Sequence, residues 1–235
     1  TVYVTVGSGN SGSGGAMILS SGSQTLGSGA TGGQISVLTG QSTESSSGSL
    51  LLMTMNAGKS GVSGLVILSS GTASRGNSGG IYIGSHQASS GRGGKVTISV
   101  GSGNSGSGGE LDLDAGTSSF SVGGLVSITS GYGTKSSSGA LVLTTANAGL
   151  SGASGVVILS SGTSSVGNSG RLRIGTGSAK SGRGGAVHVT VGSGDSGSGG
   201  EMVLMSGTSS FSAGGQISVV TAQGTISSSG SLLLQ

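Results

Sequence analysis

The sequence predicts an all-β fold: a narrow, two-sided parallel β-solenoid, right- or left-handed, with about 15 residues per coil and roughly 15 coils. Three observations predict it. A unit of 15 residues recurs along the chain, its first half alternates apolar and polar residues, and its second half is almost entirely Gly and Ser. Alternation with a period of two is typical of a half-buried strand, whereas Gly and Ser favour a tight return.

The unit is clearest at Lys95–Gly109, KVTISVGSGNSGSGG, and has close copies at Thr1–Gly15 and Ala186–Gly200. Its second and fourth positions are almost always apolar, and its sixth is small or β-branched. Because successive strand residues point to opposite faces, these three positions are expected to point inward and the first, third and fifth outward. Repeats 1 to 15 begin at Thr1, Ala16, Gln34, Ser49, Leu65, Gly80, Lys95, Glu110, Leu125, Ala140, Val156, Arg171, Ala186, Glu201 and Gln216.

A longer period of six repeats, about 91 residues, lies over the first, since SGLVILSSGT at 63–72 returns as SGVVILSSGT at 154–163. The fourth repeat of each full copy is one residue longer, which predicts a bulge or a widened turn. Three extra residues also fall around 23–31. The chain is therefore predicted to be one continuous array, 1–235, with super-repeats at 1–94, 95–185 and an incomplete 186–235.

Composition excludes several classes of protein. The 235 residues include 55 Gly but no Pro, Cys or Trp, and only 6% are charged. Such a composition alone would also fit a disordered chain, but regularly spaced Val, Ile and Leu argue against disorder. A net charge of +3 is too sparse for a nucleic-acid-binding surface, and no apolar run approaches the ~18 residues of a membrane span.

Two motifs resemble catalytic or cofactor sites and are assigned to neither. GSGNSG at Gly101–Gly106 matches the dinucleotide-binding pattern, but a further predicted strand follows where that site needs a helix. Gly194–Gly197 resembles the nucleophile segment of trypsin-like proteases, with His188 nearby, but the other copies of the unit lack both residues. We therefore predict no catalytic residue, no cofactor and no enzyme activity.

Metal and ice binding are weighed in the same way. Repeated calcium-binding turns would need an Asp in every coil, and the chain has Asp only at 112, 114 and 195. Glu110, Asp112 and Asp114 could together hold one cation, although a solvated or partner-paired face is favoured. His86 and His188 stand alone, so no metal site is predicted. Outward Thr residues are interrupted by Leu, Met, Tyr and Arg, which leaves an ice-binding face as a weaker alternative.

The units at Ser63–Gly79 and Ser154–Gly170 follow the pattern SGxVxLSSGTSSxGNSG, with Ala73 for the first of the two Ser residues after Thr in the earlier copy. In this respect the chain resembles long Gly/Ser-rich repeat proteins of algal and protist cell surfaces. The resemblance implies an extracellular or cell-surface structural role and supplies no functional residues. No Asn-x-Ser/Thr sequon occurs, so a glycan coat would require O-linkage to Ser or Thr.

The functional prediction is a structural protein, a protofilament of an extracellular filament or tubular fibre built by lateral and end-to-end association of β-solenoids. The alternative is a binding module: an adhesin or fibre shaft, or an ice-binding rod. The predicted partner is the chain itself, without nucleic acid and without membrane insertion. Because neither end carries a polar cap, we expect the array to continue beyond residues 1 and 235 or to stack end to end.

Two sets of outward residues are candidates for contacts between chains. The first is apolar and is predicted to form a lateral interface: Leu51, Met53, Leu65, Ile67, Val142, Val156, Ile158, Val203 and Met205. The second is charged and is predicted to set the register between neighbouring chains, acidic in repeat 8 and basic in repeat 12: Glu110, Asp112, Asp114, Arg171 and Arg173.

Overall fold

The computed structural model describes residues 1–10, 13–25, 29, 31–224 and 228–234. Across these ranges the chain forms no helix and no strand, and consists of irregular segments interrupted by sharp bends. The predicted parallel β-solenoid is therefore wrong. Within the same ranges no helix is long and apolar enough to cross a membrane.

The bends recur with the period of the sequence. Each covers three residues, and successive bends start 15 residues apart except at two places, where the interval is 16 and the sequence carries its extra residue. Those longer intervals follow the bends at 43–45 and 134–136. Complete bends lie at 43–45, 59–61, 74–76, 89–91, 104–106, 119–121, 134–136, 150–152, 165–167, 180–182, 195–197 and 210–212.

Each bend lies within a stretch of backbone that we call the loop, defined as the seventh to the last residue of a repeat. In repeat 7 the loop is Gly101–Gly109, and the N–H of Gly109 donates to the carbonyl oxygen of Gly101 at 3.4 Å. This contact, the neck, brings the two ends of the loop together, as in a compact Ω-loop. The six residues before it, Lys95–Val100, form what we call the linking segment.

The necks explain why the β-solenoid does not form. The described residues make nine backbone–backbone hydrogen bonds, and every one joins the two ends of a single loop. A stacked array would instead need these donors and acceptors to bond to the repeats above and below. The Gly and Ser of the returning half offer little apolar surface to compensate for ordering a glycine-rich backbone, so closure within the repeat prevails.

The chain divides into two compact units, Thr1–Leu113 and Asp114–Gln235. Both are built in the same way, from linking segments alternating with loops. Four of the nine backbone necks lie in the first unit and five in the second. They occur in repeats 1–3, 7–9 and 13–15, so runs of three such repeats alternate with runs of three that lack the backbone bond.

The described chain has no buried residue, apolar or polar. Its accessible surface is 23683 Å². A folded monomer of the same mass would expose about 9,300 Å² and its fully unfolded chain about 32,000 Å². Eight described residues are half-buried, and they occupy the sixth position of the repeat or a loop position before the bend: Ser42, Thr54, Ser70, Ala115, Ser130, Gly133, Thr145 and Gly224.

Candidate functional site

The neck is the most constrained part of each repeat, because the last residue lies directly against the sixth. A Cβ atom built on Gly109 would lie 2.5 Å from Cγ1 of Val100, and one on Gly200 would lie 2.5 Å from Cγ1 of Val191. In repeat 8 the obstacle is backbone, since a Cβ on Gly124 would meet the nitrogen of Gly116 at 3.0 Å. Every one of the fifteen repeats ends in Gly, and these contacts are the physical reason.

The size of the sixth residue sets how tightly the neck closes. The donor–acceptor distance is 3.4 Å in the three repeats whose sixth residue is valine, namely Val6, Val100 and Val191. It is 2.8 Å where that residue is Ser21, Ala115 or Ser206. The valine methyl fills the space against the last glycine, which holds the two loop ends apart.

In several repeats a side-chain hydroxyl at the sixth position also closes the neck. Ser85 Oγ donates to the carbonyl oxygen of Gly94 at 2.7 Å, Thr54 Oγ1 to that of Gly64 at 3.2 Å, and Thr176 Oγ1 to that of Gly185 at 3.1 Å. None of these three repeats makes the backbone bond. Ser or Thr at this position therefore replaces one kind of closure by another.

The bends are made in two ways. In one, a Ser three residues before the end of the bend accepts a hydrogen bond from the last N–H, as Ser118 Oγ does from Ser121 at 3.0 Å and Ser209 Oγ from Ser212 at 3.0 Å. In the other, the last bend residue is a Gly with positive φ, as at Gly106 with 106°. Phe120 and Phe211 stand at the outer side of two such bends, fully exposed.

The neck predicts a sharp difference between two adjacent glycines. Gly124→Ala should open the loop of repeat 8, because its Cβ would overlap the backbone of Gly116, and overpacking costs about 1–3 kcal/mol. Gly123→Ala is the matched control, since its Cβ would come no closer than 3.7 Å to Gly116 oxygen. Amide hydrogen exchange at residue 124 measures the effect, and should quicken by roughly tenfold or more in the first variant only. Equal exchange in both variants would contradict this geometry.

The apolar residues predicted to form a lateral interface all lie in linking segments, and all are exposed. Ile67 is 75% exposed and Ile158 80%. The alternation seen in the sequence survives only as a gradient: Val96 at the second position is 51% exposed and Val100 at the sixth 44%. Positions expected to point inward are thus partly covered by their own repeat, and they meet no second layer.

The charged candidates are also exposed, and they lie in the linking segments of repeats 8 and 12. Glu110 and Asp112 belong to the first unit, whereas Asp114, Arg171 and Arg173 belong to the second. Among the residues that the structure describes, no three His, Cys, Asp or Glu side chains come close enough to hold a metal ion. The acidic residues of repeat 8 are therefore not assembled as a cation site.

A shallow pocket of about 280 Å³ lies against the linking segment of repeat 6 and the residue after it, and its lining includes Ser85 and His86. The Ser85 hydroxyl already donates to Gly94 of the neck, so this serine is engaged in loop closure. The pocket thus shows no activated nucleophile.

The comparisons with known proteins return nothing for this chain. No family model matches it, and neither a curated protein nor a solved structure does.

Proposed function

We propose that the chain is a structural protein that assembles with further copies of itself into an extracellular filament or tubular fibre. One observation carries the proposal: the apolar side chains of the linking segments are exposed throughout both units. A soluble monomer rarely leaves more than a few hundred Å² of contiguous apolar surface in water, and large exposed patches usually mark an interface. Here the accessible surface exceeds that of a folded monomer by roughly 14,000 Å², several times a standard interface.

The composition supports assembly over recognition of an unlike partner. Only 6% of residues are charged and the net charge is +3, so little electrostatic repulsion opposes the approach of a second copy. An extracellular location follows from the resemblance of the repeats to cell-surface proteins. The exposed Ser and Thr of the loops would accept O-linked glycans there without disturbing the linking segments.

The test is whether the full chain associates as its concentration rises. Sedimentation velocity from low to high micromolar protein should show growing particles, and electron microscopy of the same samples should show filaments. A dye that fluoresces on apolar surface should bind less per chain in the assembled sample, because the linking segments become covered. A chain that stays monomeric at every concentration, with constant dye binding, would overturn the proposal.

A further inference from the structure

We propose that the linking segments of one chain pair, backbone to backbone, with linking segments of a second copy. This inference rests on the proposed self-assembly and specifies its contact. It differs from stacking within one chain, because the donors and acceptors of the last and seventh residues are already used in the necks, and pairing is left to the six residues in between.

The first support is the hydrogen bonding of the backbone. All nine backbone–backbone bonds of the described chain close loops, and none involves a linking-segment N–H or carbonyl. Segments such as Lys95–Val100 and Val156–Ser161 therefore present their backbone donors and acceptors to water. If assembly covers the apolar side chains of these segments, it also dries their backbone, and each dried group then needs a partner.

The second support is the character of the side chains. A linking segment has six residues, the common length of a strand, alternates its apolar residues and contains no Pro. In repeat 11 both Val157 and Ile158 are exposed, so the apolar surface extends to both faces of the segment. Such a segment is suited to pair at its edges while its faces are covered by further copies.

The third support is the spacing, which singles out a second copy as the partner. Bends recur every 15 residues, so consecutive linking segments are separated by loops of constant length. Two copies that pair at one segment are thereby brought into register at the next, and each added segment pairs as an intramolecular step. An unrelated extended peptide would lack this matching period.

The test compares proline in linking segments with proline in loops of the same repeats. Ile67→Pro with Ile158→Pro removes one backbone donor from the third position of repeats 5 and 11. Arg75→Pro with Val166→Pro places the same residue in the bends of those repeats and is the matched control. Ile67→Thr with Ile158→Thr keeps the N–H and the β-branch while removing apolar surface.

The linking-segment proline variant should raise the concentration needed for assembly by roughly tenfold to a hundredfold, because paired carbonyls lose their donors. The loop proline variant should assemble as the original chain does, and the threonine variant should fall between them. In assemblies of the original chain, hydrogen exchange should be slow in linking segments and fast in loops, and the infrared amide I band should show β-pairing.

Two results would overturn the inference while leaving the proposed function intact. One is an assembly whose linking segments exchange as fast as those of the free chain. The other is a linking-segment proline variant that assembles at the same concentration as the loop variant. Failure of the original chain to associate at all would instead overturn the proposed function itself.

Discussion

Replacing Ile67 and Ile158 with lysine will raise the concentration at which the chain assembles by roughly a hundredfold or more. Both residues occupy the third position of a linking segment and are exposed in the single chain, so the change removes no packing within it. In the assembly each isoleucine is worth about 1.5–3 kcal/mol of burial, and each 1.4 kcal/mol is a factor of ten in affinity. A lysine also has to be desolvated there. Sedimentation velocity of the double variant against the original chain measures the shift.

The control places the same charge on equally exposed apolar residues outside the linking segments. Val62→Lys with Val166→Lys serves this purpose, since the two valines are 95% and 96% exposed and lie in loops. This variant should assemble nearly as the original chain does. If both double variants are impaired alike, the added charge is responsible, and the linking segments are not the interface.

Changing Arg171 and Arg173 to glutamate will alter the axial offset between neighbouring chains in the assembly. The arginines follow the acidic residues of repeat 8 by four repeats, so the opposite charges face each other only when two chains are shifted by that amount. With glutamate in both places, that shift would bring like charges together, which disfavours it. Surface ion pairs contribute about 0–1 kcal/mol each, so register should change more than total affinity. Electron microscopy of the assembled particles measures the offset.

The control restores the pairing in reverse. Adding Asp112→Lys and Asp114→Lys to the double-glutamate chain should return the original offset. Because the Debye length falls to about 3 Å at 1 M salt, the difference between the chains should shrink there. A double-glutamate chain that assembles with an unchanged offset at low salt would show that these charges do not set the register, and repeat 8 would then present a solvated face.

The sequence alone correctly located the places where the chain bends and the places where it varies. The Gly/Ser half of Lys95–Gly109 predicted a return, and the structure bends at 104–106. The extra residue of repeats 4 and 10 predicted a widened turn, and the interval between bends is longer by one residue at both. These features depend on local backbone chemistry, on Gly conformational freedom and on Ser side chains that bond to nearby N–H groups, so they can be predicted from a few adjacent residues.

The neck could have been found from the sequence, but its signal was misinterpreted. A last residue that is always Gly, opposite a sixth residue that is always small or β-branched, indicates a close contact between the two. We assigned both to opposing strands of a solenoid. The contact between Val100 and Gly109 is real in the structure, yet it joins the ends of one loop and no second sheet lies behind it.

What only the tertiary structure decided is where the hydrogen bonds and the apolar side chains go. Alternating apolar residues at Val96 and Ile98 predict that a face will be covered, but they do not specify whether the covering surface belongs to the same chain. The choice depends on a balance between the cost of ordering glycine-rich loops and the apolar area that stacking would bury. In this chain the loops close on themselves, and the linking segments remain exposed. Periodicity is local and could be predicted, whereas this balance is summed over the whole chain and could not.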